Sequence, residues 1–539
     1  MTTTTPGLPP IDRTDAVDLD GIEPDIYDRR WKILAVLCSC LIIVIVGNTV
    51  LNVALPTLAD PEQLGASNTE LQWMVDSYAL VFAGLLFTAG ALGDRFGRKG
   101  ALQAGLVVFA LGSLVGAVAD SPGQVIVGRS IMGLAAAFIM PSTLSILTNV
   151  FPGRERAKAI AIWAGISGAG AAIGPVTSGL LLERFWWGSV FLINLPIIAV
   201  AFVACWILVP RSKDSTASPL DPVGALLSII GFSALIFAII EGPNHGWSST
   251  ASLLWFGAAA LALAMFAWWE SRIRHPMLDL RLFRDRRFAV SSGGITLVFF
   301  AMFGTFYLMS QFLQFVIGYT PLQAAVRLLP FSVIMMTVAP QTPKLVVRFG
   351  AGRVASTGMG LIGVALLGFT LFSTTTPYWQ LLITVCLMAG GMALTMSPMT
   401  TELMSAVPRD RAGVGSAMND TTRELGGALG VAVLGSLVTS RYISGLADTV
   451  ATLPDEAREL AQGSIGGVLG LIAQGVLPAD VGSRVLDTAR DAFVDGLNVA
   501  GAIAAGVVIV AAVLVRVLLP SRPRPQPRAA EAAAPVAVD

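Results

Sequence analysis

The sequence predicts an all-α integral membrane protein with fourteen transmembrane helices, arranged as two six-helix bundles with two helices inserted between them. Three observations predict this fold class: the composition, the number of long apolar stretches and an internal repeat. Of the 539 residues, 54% are hydrophobic and 13% are charged, whereas about 25% of the residues in soluble domains are charged. The mean hydropathy of +0.73 therefore indicates a chain that lies mostly within a lipid bilayer.

The apolar stretches give the order of the predicted spans. A transmembrane helix takes about 20 apolar residues, and fourteen stretches are long enough. They lie at 31–56, 72–92, 101–119, 124–148, 158–182, 188–210, 221–241, 251–270, 288–315, 322–343, 353–373, 378–400, 412–438 and 497–519. The first stretch is too long for the core of a signal peptide, so we expect no cleavage there. The flanking segments 1–30 and 520–539 are polar or low in complexity, and we expect disordered tails.

Short motifs that recur along the chain divide it into halves. Arg95-Phe96-Gly97 after span 2 recurs as Arg348-Phe349-Gly350 after span 10. Pro152-Gly153-Arg154-Glu155-Arg156-Ala157 after span 4 recurs as Pro408-Arg409-Asp410-Arg411-Ala412 after span 12. Each pairing skips eight spans, which is one six-helix half plus two inserted helices. Parallel repeats of this kind are typical of secondary transporters.

The repeat predicts the boundaries of the parts. We expect a first bundle at 31–210, two inserted helices with a basic loop at 211–287, and a second bundle at 288–519. The second bundle includes a long segment at 439–496 between its last two spans. This segment contains helical patterns, and it is either a solvated hairpin or a lid or partner-binding element over the outer mouth.

Basic residues predict the orientation. They are concentrated in the loops on one side of the membrane, and the short loops on the other side hold only Arg184. Lys and Arg near span ends stay on the cytoplasmic side, so we expect a plasma-membrane protein with both termini in the cytoplasm. The loop 272–287 carries six arginines that set the topology or bind anionic lipid headgroups. Because the formal net charge is zero, nucleic acid is not an expected partner.

Enzyme-like motifs in the chain lie in the wrong context. The segment 358–363 fits a dinucleotide-binding pattern, but it lies inside a span without a preceding strand, which favours a packing face. The histidines, His245 and His275, sit in loops on opposite sides, so no base reaches Ser167. All four cysteines lie in apolar stretches and are interpreted as small hydrophobic side chains: Cys38, Cys40, Cys205 and Cys386. We therefore expect neither an enzyme nor a metal or cofactor site.

Ionisable side chains inside the predicted spans are few. Each costs roughly 2.5–3.5 kcal/mol to insert and usually faces a cavity or a partner. Asp76 lies near the outer end of span 2, and Arg129 lies in span 4. Asp420, Arg423 and Glu424 lie in span 13 at i, i+3 and i+4, so they share one helix face. These five residues are the candidates for proton coupling.

Burial favours the neutral form of a carboxyl group and so makes proton binding switchable near neutral pH. We expect Asp76 and Asp420 to exchange protons, with Arg423 and Glu424 as an orienting pair. The alternative is that Asp76 is an interfacial acid and that the span-13 residues form a structural ion-pair network. Arg129 either relays protons or holds backbone carbonyl groups.

Four segments carry a recognisable combination of motifs. They are Asn52-Val53-Ala54-Leu55-Pro56 at the end of span 1, Leu71-Gln72-Trp73-Met74-Val75-Asp76-Ser77-Tyr78 at the start of span 2, Gly90-Ala91-Leu92-Gly93-Asp94-Arg95-Phe96-Gly97-Arg98-Lys99 after it, and Gly170-Ala171-Ala172-Ile173-Gly174-Pro175-Val176-Thr177-Ser178-Gly179 in span 5. Span 4 adds Arg129 and Gly133. Together they resemble the fourteen-span drug:proton antiporters of the major facilitator superfamily, which include quaternary-ammonium and multidrug efflux pumps.

The resemblance implies a major facilitator fold, alternating access and export driven by the proton gradient without a cofactor. It implies a conformational latch at the inner helix ends, formed by Gly90, Asp94, Arg95, Gly97 and Arg98. It also implies an antiporter motif formed by Gly170, Gly174, Pro175 and Gly179. The alternatives are ordinary positive-inside loop charge for the latch and a plain helix kink for the antiporter motif.

One departure from the family pattern affects the expected substrate. Members usually carry an Asp-x-Thr pattern in span 1, whose acid would stand at Gly47, two residues before Thr49. Smaller departures occur at Met132, Ala161 and Ser178. A missing acid leaves fewer protons for coupling, which favours neutral or zwitterionic amphiphiles, or monovalent rather than divalent cations.

Three functions remain open from the sequence. The first is a proton-coupled exporter of amphipathic drugs, dyes or biocides, acting as a monomer in the bilayer on small molecules and protons. The second is an exporter of one endogenous lipid or secondary metabolite. The third is a non-transporting membrane sensor, which the motifs retained in both halves disfavour and Gly47 favours.

Overall fold

The computed structural model describes residues 22–59, 63–66, 68–212, 221–274, 276, 278–408 and 412–519. Within these ranges the secondary structure is helical, with no β-strand. Thirteen helical stretches in the described part are long and apolar enough to cross a membrane. The fifth predicted span corresponds to one further continuous helix, Gly153–Leu182. The all-α membrane fold predicted from the composition is therefore confirmed.

The first six predicted spans form the first bundle. Its helices are α1 (Pro24–Thr49), α2 (Leu51–Ala59), α3 (Asn68–Phe96), α4 (Arg98–Ala117), α5 (Pro122–Val150), α6 (Gly153–Leu182), α7 (Ser189–Leu192) and α8 (Asn194–Leu208). Span 1 comprises α1 and α2, and span 6 comprises α7 and α8. The loops at the start of α1 and the end of α3 are rich in Lys and Arg, and we call this side of the molecule the basic side.

Helix α1 begins earlier than the sequence predicts. It starts at Pro24, so the predicted tail 1–30 ends too late by seven residues. The extension is polar, and it is held by protein contacts rather than by lipid. Tyr27 donates a hydrogen bond to Glu155 (3.0 Å), and Arg30 forms an ion pair with the same carboxylate (2.7 Å). The predicted tail segments 1–21 and 520–539 lie outside the described residues.

The inserted pair and the second bundle follow. The helices are α9 (Pro222–His245), α10 (Thr250–Glu270), α11 (Arg286–Gln311), α12 (Pro321–Val338), α13 (Thr342–Phe349), α14 (Ala351–Gly368), α15 (Tyr378–Ser405), α16 (Ala412–Val450), α17 (Asp455–Gly463), α18 (Ile465–Ala473) and α19 (Ala479–Leu518). A π-helical turn at Phe312–Val316 extends α11, and a 3₁₀ turn at Ala339–Gln341 joins α12 to α13.

The backbone repeats where the short motif repeats. Helix α3 ends at Phe96 and α4 begins at Arg98, with Gly97 between them at φ 116°. Helix α13 ends at Phe349 and α14 begins at Ala351, and Gly350 between them has φ 87°. Both turns need a positive φ, which glycine adopts without a steric penalty. Of the second repeated motif, residues 409–411 lie outside the described residues.

The two bundles meet along a continuous seam, which we define as the contacts of α3, α5 and α6 with α12, α15 and α16. Of the inserted helices, α9 packs against α3 and α16 and so touches both bundles, and α10 packs against α9. Phe87 of α3 stacks on Phe232 of α9 with ring centroids 5.1 Å apart. On the side opposite the basic side, Trp247 donates a hydrogen bond to Ser436 of α16 (3.3 Å).

Segment 439–496 is a packed helical subdomain rather than a solvated hairpin. Helix α16 continues to Val450, and α17 and α18 lie between it and the long helix α19. Ile465, Val468 and Leu471 repeat at helical spacing, and their side chains are buried. Tyr442 donates a hydrogen bond to the carbonyl oxygen of Ala461 (2.8 Å). The helical patterns in the sequence thus indicated the secondary structure, but not the apolar core that they form.

Candidate functional site

Three of the candidate ionisable groups lie within two turns of α16. Asp420 and Arg423 are almost fully buried, at 1% and 6% exposure, while Glu424 is half-buried. Arg423 Nη1 lies 4.0 Å from Asp420 Oδ1, which is a long ion pair. The Asn419 amide donates a hydrogen bond to the same oxygen (3.2 Å), and the Thr400 hydroxyl of α15 donates to the Asn419 carbonyl oxygen (3.1 Å).

The pairing differs from the one expected from the sequence. The guanidinium group of Arg423 pairs with Asp420, and Glu424 forms no ion pair within the described part of the chain. Asp420 stands three residues before Arg423, a spacing at which side chains on a helix meet, whereas adjacent residues such as Arg423 and Glu424 do not face each other. Asp420 Oδ2 and the Nε and Nη2 atoms of Arg423 are buried without a hydrogen-bond partner. Buried polar atoms without a partner cost free energy.

Aromatic side chains place this cluster at the seam. The guanidinium carbon of Arg423 lies 5.0 Å from the ring centroid of Trp163 on α6 and 5.5 Å from that of Phe299 on α11. Trp163 is fully buried and donates a hydrogen bond to Thr143 of α5 (3.3 Å). A buried cation against an aromatic face gains up to about 2 kcal/mol. Arg423 of the second bundle therefore contacts the first bundle directly.

Arg129 of α5 occupies a second buried position. Its side chain is fully buried and donates hydrogen bonds to the carbonyl oxygens of Met74 on α3 (2.9 Å) and Gly47 on α1 (2.6 Å). The guanidinium carbon also lies 4.5 Å from the ring centroid of Tyr78. Of the two roles left open by the sequence, the structure shows the binding of backbone carbonyl groups, and this binding joins α1, α3 and α5.

Gly47, which stands where family members usually carry an acid, lies beside Arg129. Arg129 donates to the carbonyl group of Gly47 itself. A Cβ atom added at Gly47 would lie 2.6 Å from the Phe109 ring and 3.2 Å from the Met132 side chain. The Phe109 ring thus fills the volume that a side chain at position 47 would need. Glycine at position 47 therefore matches the packing, and its backbone carbonyl oxygen accepts a hydrogen bond from Arg129.

All five sequence-predicted residues lie on helices that form the seam. Asp76 is on α3, Arg129 on α5, and Asp420, Arg423 and Glu424 on α16. The hydrogen-bond partners of Arg129 belong to the first bundle, and Asp76 and Arg129 lie nearer the side opposite the basic side.

The predicted latch residues meet the N-terminus of α16. Arg98 Nε donates a hydrogen bond to Asp94 Oδ1 (2.7 Å), and both side chains are buried. The backbone amide of Gly413 donates to Asp94 Oδ2 (2.8 Å) and Oδ1 (3.1 Å). A carboxylate at a helix N-terminus is stabilised by the unpaired amide groups and by the helix dipole. Asp94 thus joins the first bundle to the second on the basic side.

The backbones of α3 and α16 lie close together at this contact. A Cβ atom added at Gly90 would lie 2.8 Å from the carbonyl oxygen of Gly413. A Cβ atom added at Gly413 would lie 2.6 Å from the carboxylate oxygens of Asp94. Arg95 lies over the Phe96 ring, with its guanidinium carbon 5.6 Å from the centroid. Helices α3 and α16 can approach this closely because Gly90 and Gly413 have no side chains.

The antiporter-motif residues lie on α6 between the bundles. A Cβ atom added at Gly170 would contact Ile45 of α1, and one at Gly174 would fall on the Thr49 hydroxyl. On another face of α6, one at Gly179 would lie 3.4 Å from Leu322 of α12. Pro175 stands inside the helix. The small residues thus allow α6 to pack closely on α1 of its own bundle and on α12 of the other.

The sequence did not identify several residues of the site. Trp163 lies in the middle of a span, far from the interfaces where Trp is usually enriched, and that position was a usable signal. Asn419 stands directly before Asp420, yet its amide group gave no indication of the contact with Thr400. Arg327, which the sequence left unassigned, stacks on Tyr319 near the start of α12, with its guanidinium carbon 3.8 Å from the ring centroid.

Two other interpretations can be compared with the structure. A Cβ atom added at Gly358 would lie 2.6 Å from the carbonyl oxygen of Gly391, so the segment 358–363 packs α14 against α15 as expected. The four cysteines are free thiols, three of them buried. The side chains of His245 and His275 lie outside the described residues.

Comparisons with known proteins identify relatives over nearly the whole chain. It is 35% identical over 490 residues to the multidrug efflux pump LfrA of Mycolicibacterium smegmatis, which covers 91% of this chain and 96% of LfrA. It is 35% identical to the methyl viologen resistance protein SmvA of Salmonella typhimurium, covering 90% and 97% of the two chains. It is 30% identical to the tetracenomycin C resistance and export protein of Streptomyces glaucescens, covering 93% and 94%.

Solved structures show the same fold at low sequence identity. The crystal structure of the human organic anion transporter MFSD10 superposes with a TM-score of 0.59 at 13% identity, covering 90% of this chain and 99% of that one. A bacterial homologue of the human lysosomal transporter Spinster, in an inward-facing and unoccupied conformation, gives 0.57 at 18% identity, covering 94% and 100%. The family profile of the Major Facilitator Superfamily matches residues 37–431. This multi-pass membrane protein belongs to the major facilitator superfamily, a family of transporters.

Proposed function

We propose that this protein exports amphipathic small molecules in exchange for protons, by alternating access at the seam between its bundles. The relatives described as multidrug efflux or resistance proteins support the direction of transport. The observation that carries the proposal is the group of five buried or half-buried ionisable residues at the seam, which we call the seam cluster: Asp76, Arg129, Asp420, Arg423 and Glu424.

The charge of the seam cluster provides a basis for coupling. Three carboxylates and two guanidinium groups give a formal charge of −1 when all are ionised. Closing a seam over an uncompensated buried charge is costly, whereas one bound proton or one monovalent cation makes the cluster neutral. A proton and a cationic substrate then compete to neutralise the negative charge of the seam cluster. Binding of either one allows the seam to rearrange. This competition is the property that an exchanger needs.

We assign separate tasks within the cluster from the positions of its members. Asp76 and Arg129 lie nearer the side opposite the basic side, and Asp420 and Glu424 lie deeper along α16. Protons that enter from the opposite side reach Asp76 first, and the Tyr78 ring lies against Arg129. Protonation of Asp420 weakens its 4.0 Å pair with Arg423. Arg423 is then held mainly by the aromatic rings of Trp163 and Phe299.

The energetics predict how the driving force depends on substrate charge. One-for-one exchange of a proton for a monovalent cation moves no net charge, so only the pH difference drives it, about tenfold accumulation per pH unit. A neutral substrate also uses the membrane potential, about 2.3 kcal/mol per 100 mV for each proton. A single exchangeable proton therefore favours neutral, zwitterionic or monovalent substrates over divalent cations.

The test is substrate-driven proton release from inverted vesicles that contain the full chain. A panel of neutral and monovalent cationic amphiphiles is added to wild type, Asp76→Asn, Asp420→Asn and Glu424→Gln. We expect proton release with wild type and at least a tenfold loss in Asp76→Asn and Asp420→Asn. Glu456→Gln, which neutralises an exposed acid of α17, is the matched control and retains the signal.

The outcomes separate the alternatives. If no amphiphile moves protons although the protein is inserted, the multidrug proposal is wrong, and panels of lipids and secondary metabolites then test for one endogenous substrate. If the variants retain wild-type signals, proton coupling does not use the seam cluster. Repeating the assay with an imposed potential alone shows whether exchange of a cationic substrate is electroneutral.

The orientation belongs to the same proposal. We place the basic side in the cytoplasm because Lys and Arg near span ends are retained there, which puts both termini inside the cell and α17 and α18 outside. We also expect a functional monomer, since one chain contributes both bundles and the complete seam. Protease accessibility of a tag at each terminus, in intact cells and in inverted vesicles, tests the orientation.

A further inference from the structure

A cavity of about 460 Å³ lies in the second bundle on the basic side, away from the seam cluster. Helices α13, α14, α15 and α19 supply its lining, which includes Phe349, Arg353, Thr357, Leu394 and Arg516. Ligand pockets in proteins typically have volumes of roughly 300–1,000 Å³. The cavity is therefore large enough for a polar headgroup, and nothing in the proposed transport cycle uses it.

Two arginines dominate the charge of this cavity. Arg353 is the third residue of α14, and Arg516 is the third residue from the end of α19. Neither forms an ion pair with any residue in the described part of the chain, and no acidic side chain lines the cavity. Like charges that share a cavity repel each other. An anion bound between the two guanidinium groups relieves this repulsion.

The backbone amide groups at the start of α14 also favour a bound anion. Gly350 occupies the N-cap position of α14 and offers no side-chain acceptor to the first amide groups of the helix. The positive end of the helix dipole therefore lies beside Arg353, where an anion is stabilised. A planar guanidinium group binds phosphate through paired hydrogen bonds. A phosphate group matches this donor set.

The surroundings of the cavity are apolar and exposed. Val347 and Val517 are 83% and 73% exposed, and Phe349 is 44% exposed. In a chain that spans a membrane, side chains on this outer surface face lipid. Both arginines stand near helix ends, which is the level of the lipid headgroups. An anion that also carries apolar chains therefore fits the whole site better than a soluble anion.

The equivalent place in the first bundle is closed by protein. There the Arg98 backbone amide donates a hydrogen bond to the carbonyl oxygen of Ser212 (3.0 Å). The Lys99 amino group donates to the carbonyl oxygen of Trp206 at the end of α8 (2.7 Å). The second bundle has Gly352 at the position of Lys99, and its cations line an open cavity instead. The repeated architecture thus leaves one of two equivalent corners unfilled.

We propose that Arg353 and Arg516 bind the phosphate group of an anionic phospholipid from the leaflet on the basic side. Its acyl chains lie on the exposed apolar surface beside Phe349. Occupation of this site ties the start of α14 to the end of α19. The proposal does not depend on the transported substrate.

The test measures lipid binding to the purified full-length protein by native mass spectrometry. Phosphatidylglycerol and phosphatidylcholine are titrated into wild type, Arg353→Gln/Arg516→Gln, and the control Arg441→Gln/Arg484→Gln, which removes two exposed arginines from the opposite side. We expect the first bound phosphatidylglycerol to weaken at least fivefold in the cavity variant only. Phosphatidylcholine binding stays unchanged in all three proteins.

A second variant tests whether misfolding explains a loss of binding. Thr357→Phe keeps both arginines and fills the cavity, so it also weakens phosphatidylglycerol binding if the site is the cavity. Equal binding in wild type and in both cavity variants overturns the proposal. If inorganic phosphate or glycerol phosphate displaces phosphatidylglycerol at equal concentration, the lipid assignment is overturned and the site is one for a soluble anion.

Discussion

The turn between α3 and α4 and the turn between α13 and α14 share one backbone and differ in chemistry. Each carries Arg-Phe-Gly, and each glycine has a positive φ, 116° at Gly97 and 87° at Gly350. In the first turn, the preceding residue Asp94 is buried and binds the N-terminus of α16. In the second, Val347 stands at the equivalent position and is 83% exposed.

The difference teaches that one backbone geometry can carry a charged contact between the bundles at one turn and lack it at the other. Ala351 stands in the second turn at the position of Arg98, which pairs with Asp94. The second turn therefore lacks both the acid and its partner.

The largest effect is expected from Asp94→Ala. It removes the carboxylate that pairs with buried Arg98 and that accepts the Gly413 amide. Removing one partner of a buried ion pair costs about 3–5 kcal/mol, here in the state closed on the basic side. Substrate-driven proton release should fall more than tenfold at equal protein level. Val347→Ala removes the equivalent side chain of the second turn and should leave transport unchanged; equal losses would contradict a one-sided contact.

A smaller loss is expected from Gly413→Ala. The added Cβ atom would lie 2.6 Å from the Asp94 carboxylate, so α3 and α16 must separate on the basic side. Overpacking of this kind costs about 1–3 kcal/mol, and transport should fall about fivefold or more. Gly100→Ala on α4 is the matched control, because no atom lies within 4 Å of its added Cβ. A normal transport rate for Gly413→Ala would show that the close approach is dispensable.

The shared backbone predicts equal effects at the two turn glycines. Gly97→Ala and Gly350→Ala each force a side chain into a positive-φ conformation, at a cost of about 1–3 kcal/mol. Thermal unfolding of the purified variants should therefore show similar decreases in Tm, with Gly123→Ala, whose added Cβ meets open space, as the reference. A decrease in only one of them would mean that the turns are not equivalent in energy.

Most of the architecture was predictable from the sequence because membrane helices are encoded by long apolar stretches. All fourteen predicted spans correspond to helices, and the repeated Arg-Phe-Gly turns have matching backbones. The polar ends of the helices were harder to predict, because individual side-chain contacts fix them and hydropathy does not reveal those contacts. Helix α1 begins at Pro24 because Tyr27 and Arg30 bind Glu155, a contact between residues far apart in the chain.

The candidate site was predicted by residue but not by partner. Ionisable residues are so rare in the spans that the five members of the seam cluster could be identified one by one. Helix spacing already favours Asp420 over Glu424 as the partner of Arg423, whereas only tertiary packing brings Arg423 to Trp163. The volume at Gly47 is likewise set by the Phe109 ring, which no local pattern reveals.

The smallest effect, and the sharpest test of the comparison, is expected from restoring the missing acid in the second turn. Val347→Asp recreates the charge of Asp94, but position 347 is exposed, and exposed charges contribute about 0–1 kcal/mol to an ion pair. Transport should stay within twofold of wild type, and the change should not rescue Asp94→Ala in the same assay. Rescue would mean that the second turn can still form the contact between the bundles, and that the loss of its acid, not the packing around it, made the interaction one-sided.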